Sequence, residues 1–134
     1  MAISVEWGNE EHTIVYWVFN GKWTWEEFSD AQRESNQLLA TVDHIVDIIG
    51  NLKRGPNLPP NALSAYQGLL EHSAENLGLI VLVGSSNFVK ALVGIFSRMI
   101  PSKIPGADFT FAVTLREAYV IIEQHSKNRS VNTD

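Results

Sequence analysis

In "VLVGSSNFVKAL", residues 81–92, an apolar run passes through Gly84, Ser85, Ser86 and Asn87 into a helical pattern. Serines at such a turn act as nucleophiles, as phosphate ligands or as helix caps, and their neighbours decide which. A nucleophile elbow needs Gly-x-Ser-x-Gly, because small residues on both sides permit the strained turn. Here Phe88 stands where the second glycine belongs, and none of His12, His44, His72 and His125 has a recognisable partner context. A Walker-type loop needs Gly-x-x-x-x-Gly-Lys-Ser/Thr, and a dinucleotide turn needs three glycines, whereas this loop has only Gly84. What remains is capping: one of Ser85, Ser86 and Asn87 satisfies free N–H groups at the helix start, worth about 1 kcal/mol. The same three residues are the candidates for holding a small anion weakly, since free N–H groups point outward there. No motif implies an enzyme or a cofactor.

A second group is aromatic: Trp17, Phe19, Trp23, Trp25 and Phe28. One reading is core packing under the first helix. The other is a surface for a ligand or partner, with Trp23 and Trp25 at its centre, because Trp is favoured at interfaces. The third group is the helix over residues 88–100. Phe88, Leu92, Ile95, Phe96 and Met99 form one stripe, Val89, Val93 and Ile100 widen it, and only Lys90, Ser97 and Arg98 are clearly polar. A helix this apolar is deeply buried or exposes a patch. The expectation is a docking surface for a protein partner or a second copy through Phe88, Leu92, Phe96 and Met99, with an apolar small molecule or lipid as the alternative. The carboxylates offer no metal site: Asp43 and Asp47 stand apart, and Glu71-His72 lacks the second histidine of His-Glu-x-x-His.

The chain of 134 residues is long enough for one domain that buries roughly two thirds of its unfolded surface. It has no cysteine, which removes disulfides, thiolate metal sites and cysteine nucleophiles. Fifteen acidic against ten basic side chains give a net charge of -5, and neither Lys53-Arg54 nor Lys127-Asn128-Arg129 forms a long basic stripe, so nucleic acid is not an expected partner. The longest nearly uncharged stretch, residues 76–89, falls short of the roughly 20 residues that span a bilayer. A soluble cytoplasmic protein without stable membrane insertion is expected.

Elements to position these groups follow from the pattern. Ile3, Val5 and Trp7 alternate with polar residues, and "TIVYWVFNG" is β-branched and aromatic, so the two form an antiparallel hairpin. Thr24 with Glu27 is a capping box that opens a helix to about Thr41. "HIVDIIGNL" (44–52) and "LGLIVLVG" (77–84) read as strands covered on both sides. Between them lie a proline-rich loop and a helix over 61–75. Residues 87–100 are helical up to Pro101, a loop follows, 109–113 is a short strand, and Thr114 with Glu117 opens a last helix to about Gln124. The tail from 127 to 134 is polar and expected to fray. The order ββαβαβαβα implies a single α/β domain over 1–126, with a mixed, mainly parallel sheet of about five strands and four helices.

"FNGKWTWEEF" after the hairpin, the "VDII" and "VLVG" strands and the ending "FTFAVTLREAYVII" resemble the STAS/SpoIIAA-like superfamily, which includes bacterial anti-sigma-factor antagonists. The resemblance covers residues 3–124 and lies in element order and apolar pattern. It implies a non-enzymatic regulatory or protein-interaction domain, and some relatives resemble lipid-binding CRAL-TRIO domains. Antagonist-type members carry a phosphorylated serine in a D-S-S-G-L-like turn after the third strand. This chain has "NLKRGPNLPPNALSAY" there, in which Ser64 is the only serine near the helix start. The working surface expected from all this is the loop over 51–64 with Ser64 and the helix over 88–100.

Overall fold

Strand alternation and crossover handedness decide where each helix goes. The computed structural model describes residues 2–99 and 109–132, with the side chains of residues 96, 97, 99 and 130–132 outside that description. Phe96 and Met99 therefore have no described side chain, and the helix end expected at Pro101 lies outside the described residues. The elements are β1 (Ile3–Trp7), β2 (Ile14–Asn20), α1 (Trp25–Leu39), β3 (Val46–Arg54), α2 (Ala62–Glu71), β4 (Leu77–Val83), α3 (Asn87–Met99), β5 (Phe109–Ala112) and α4 (Leu115–Asn132). They form one five-stranded sheet in sequential order. β1 is antiparallel to β2, and every other neighbouring pair is parallel. This is the α/β architecture the apolar pattern implies.

Three right-handed crossovers that all step the same way put their helices on one face. On that face Val15, Trp17 and Phe19 of β2, Val46 and Leu52 of β3 and Leu77 and Ile80 of β4 pack with Ala31 and Leu39 of α1. The alternate residues, Ile14, Ile49, Leu79, Val81 and Val83, meet Ala118 and Ile122 of α4 on the other face. Both faces of the central strands are covered, which explains their unbroken hydrophobicity.

Several boundaries differ from the sequence pattern. β3 runs on through Lys53 and Arg54, because Asn20 pairs with Arg54 and the Gly21 N–H donates to the Arg54 carbonyl at 2.7 Å. α2 stops at Glu71, four residues early. The connection after it is held by Asn76, whose amide donates to the carbonyls of Leu39 and His44. The largest correction concerns the polar tail. The last helix does not end near Gln124: α4 continues to Asn132. The reason is tertiary. Arg129 donates to both carboxylate oxygens of Asp47, at 3.0 and 2.9 Å, and Asp47 also accepts the Leu79 N–H at 2.7 Å. Gly78 makes room for the pair, since a Cβ there would collide with Asp47 and lie 2.9 Å from the Arg129 guanidinium.

Candidate functional site

The β4–α3 turn is a cap. Ser86 accepts the Val89 N–H through Oγ at 3.2 Å, so Ser86 is the capping residue and Asn87 begins the helix. Gly84 takes a φ of +74°, a conformation that glycine adopts without strain. Ser85 keeps its Oγ buried without a partner. The turn lies at the C-terminal end of the parallel strands. His12, His44 and His72 all sit at the opposite end, in the β1–β2, α1–β3 and α2–β4 connections, and His125 lies in the second half of α4. No serine–histidine pair is assembled at this turn. Among the described residues, no group of three His, Asp or Glu is placed to hold a metal ion.

The aromatic group is packed and tethered. Trp17, Phe19 and Trp23 are buried. Phe19 lies 4.9 Å from Trp23, Trp23 meets Trp25 edge-on at 4.9 Å, and Phe28 touches all of them. Each indole N–H is satisfied: Trp17 donates to the Ser35 hydroxyl, Trp23 to the Gly55 carbonyl and Trp25 to the Pro60 carbonyl. The Thr24–Glu27 capping box forms as the sequence predicts and fixes the α1 start between the two tryptophans. Trp23 is therefore no exposed platform. With Trp25 it pins both ends of the proline-rich loop, which then feeds into α2.

The cluster forms one wall of a half-open pocket of about 100 Å³. Phe19, Trp23, Trp25 and Phe28 form one side, Leu52, Leu82 and Phe109 the floor on the sheet, and α2 and α3 the roof, through Ala62, Ala65, Tyr66 and Leu69, and through Val89, Leu92 and Val93. Every one of these side chains is apolar or aromatic. The Tyr66 ring of α2 lies 5.8 Å from that of Phe109 on β5. α2 buries only Leu70 and is tied to α1 by Gln32 and Asn36, whose amides donate to the carbonyls of Leu69 and His72. Of the described α3 side chains, Val89 alone is buried, at 2% exposure.

The expected docking residues divide. Leu92 is half-buried and faces the cavity. Phe88 is 67% exposed and Ile95 46%, so the outer side of α3 does present apolar surface. Ser64 is exposed in the first turn of α2, after an Asn61 in the left-handed region whose side chain makes no cap.

A larger cleft of about 810 Å³ lies at the opposite end of the sheet, between the β1–β2 turn, the start of β3 and α4. Its polar groups are mostly engaged with one another. Asn9 binds Thr13, Tyr119 donates to the Gly8 carbonyl at 2.8 Å, His44 contacts the His12 carbonyl, and Asp47 holds Arg129. Burial, and secondarily Tyr16 and Glu6, raise the Tyr119 phenol above its usual pKa of 10.0. These groups fasten α4 and the hairpin rather than converge on a ligand.

Sequence reasoning found the walls of the cavity, the aromatic group and the apolar α3, but not the void between them. Periodicity reports which side of a helix is apolar, not how far it stands from the sheet. No family model, curated protein or solved structure matches this chain.

Proposed function

We propose that this protein is a non-enzymatic binding domain that takes an apolar ligand into the cavity beneath α2 and α3. The observation that carries the reading is that half-open pocket of about 100 Å³, whose described lining is apolar or aromatic and which α2 and α3 roof. An engineered cavity of about 150 Å³ lined by Leu, Ile and Phe stays dry and binds benzene. An apolar group that enters the pocket removes its own surface and that of the walls from water, worth about 25 cal/mol per Å². The size fits the end of a chain or a small ring, and whole ligands normally need upward of about 300 Å³. A larger guest therefore lifts α2 and α3.

The test is titration of tryptophan fluorescence with 1-decanol, since Trp23 and Trp25 line the cavity, beside the variant Ala65→Leu. Ala65 lines the roof, so leucine fills the void. Saturable binding that Ala65→Leu abolishes, while raising stability by about 1 kcal/mol, supports the reading. Binding that persists in this variant, or no binding at all, contradicts it.

A second reading is favoured by a separate observation. The exposed Phe88 and Ile95 on the outer side of α3 suit a cytoplasmic regulatory domain of STAS/SpoIIAA-like type that docks on a protein partner or a second copy. Light scattering over a tenfold concentration range tests self-association: a dimer lost in Phe88→Ser supports it, and a monomer throughout contradicts it.

A further inference from the structure

β1 is an outer strand of the sheet and pairs with β2 alone. Its register is unbroken from Ile3 opposite Phe19 to Trp7 opposite Val15. Two flanking bonds fix which backbone groups face β2. The Asn20 N–H donates to the Ala2 carbonyl and the Gly8 N–H to the Ile14 carbonyl, both at 2.7 Å. Hydrogen-bonded and non-hydrogen-bonded positions alternate along an antiparallel pair. Ala2 and Gly8 are bonded positions, so Ser4 and Glu6 between them are bonded too. The N–H and C=O groups of Ile3, Val5 and Trp7 therefore point away from β2, along the open edge. Among the described residues, no turn or cap bonds to them.

Such a row of free groups is a template for another strand, and folded chains blunt it with proline, lysine or a bulge. β1 carries none of these, and its one charge is Glu6. Ser4 and Glu6 are exposed on one face of the strand. On the other face Val5 and Trp7 are half-buried against the core under α1. Trp7 is held in place by stacking on His12, with ring centroids 4.2 Å apart.

We propose that a second copy of this chain pairs with β1, antiparallel, about a twofold axis at Val5, so that the two sheets join into one. The outward groups allow only odd positions to bond with odd positions. Centred on Val5, Ile3 lies opposite Trp7 of the second copy and Val5 opposite its equivalent, which gives about six backbone hydrogen bonds. Ser4 then lies opposite Glu6 of the second copy, hydroxyl against carboxylate, and only the apolar Val5 meets itself. A twofold interface requires this self-complementarity. Centring on Glu6 would set two carboxylates on directly opposed positions, with Cα atoms about 4.5 Å apart. Centring on Ser4 leaves Trp7 without a partner and gives about four bonds. Any strand could form the backbone ladder; the match of Ser4 with Glu6 is what favours a second copy. The pairing is independent of the pocket, whose lining includes no residue of β1.

Sedimentation equilibrium at low ionic strength tests the pairing on the intact protein and its variants. Ser4→Lys sets an ammonium against Glu6 of the second copy at two equivalent places and is expected to tighten the dimer about tenfold, while Ser4→Glu weakens it by about as much. Val5→Pro removes the central outward N–H without removing a bond to β2, and is expected to abolish the dimer. Unchanged circular dichroism establishes that each variant is folded, and if Val5→Pro fails that test the opposed responses of the two Ser4 variants decide alone. A wild type that stays monomeric overturns the proposal. So does a dimer that persists in a folded Val5→Pro variant, or one that both Ser4 variants change in the same direction. A dimer lost in Phe88→Ser and indifferent to both Ser4 variants belongs to the outer side of α3 and overturns it as well.

Discussion

Beneath the first half of α4 the sheet is sealed: Ile49, Val81 and Val83 have no exposed surface and pack with Ala118, while the cleft of about 810 Å³ opens beyond them at Ile14 and Ile122. Beneath α2 and α3 the same strands present Leu52 and Leu82 to a gap of about 100 Å³. The difference lies in how the covering helices are fastened. α4 is held from two directions, by Tyr119 on the Gly8 carbonyl and by Arg129 on Asp47. α2 is tied to α1 by two side-chain amides and meets β5 through the Tyr66 and Phe109 rings, and Val89 is the one buried side chain among those described on α3. A sheet packed tightly on both faces has little room for a guest. One with a single tight face has a fixed frame and a roof that can lift.

The largest expected effect separates the faces directly. Ile49→Ala, in the sealed layer, should cost about 3–5 kcal/mol, whereas Leu92→Ala, beside an existing void, should cost about 1–2 kcal/mol. Denaturant unfolding of both variants measures the gap, and equal losses would erase the distinction. Next comes the fastening of α4. Asp47→Asn leaves Arg129 without a countercharge and should cost about 2 kcal/mol, less than a fully buried pair because Arg129 is partly exposed. Amide exchange should rise first over residues 123–132, beyond Ile122, the last buried apolar anchor among the described side chains, and leave α1 protected. Exchange rising evenly through the whole chain would show that the pair supports the entire fold and not one helix.

The smallest effect is a pH dependence. The folded protein raises the Tyr119 pKa, so the neutral phenol is favoured in the fold. Its contribution is fully present below pH 10, the ordinary tyrosine value, and is lost as pH climbs through the raised value. Tyr119→Phe should cost less than about 1 kcal/mol at neutral pH and should lack this component of the alkaline loss. Unfolding curves between pH 8 and pH 11 compare the two, and parallel decline in both proteins would place the titration elsewhere.

Much of this contrast was legible locally. The Thr24–Glu27 box, the alternation of β1 and the buried runs of β3 and β4 are local signals, and each element forms where its signal lies. The second box differs in detail: Thr114 accepts the Glu117 N–H, but the Glu117 carboxylate takes the Val113 N–H. The sequence misled where distant residues decide. "SKNRSVNTD" has the composition of a fraying tail, and only Asp47 and Gly78, far away in the chain, show why most of it is helical. Lys53 and Arg54 look like the start of a loop, yet their backbones extend a strand because Asn20 stands opposite. The cavity was the least legible feature. It arises from the stand-off of two helices whose own patterns are ordinary.

The central claim is that one face of the sheet admits an apolar guest and the other does not. Methyl-resolved NMR during titration with 1-decanol tests it most directly. The account predicts saturable shifts at Leu52, Leu82, Val89 and Leu92, with the methyls of Ile49, Val81, Val83 and Ile122 unmoved. Shifts of equal size on both faces, or none that saturate, would contradict it.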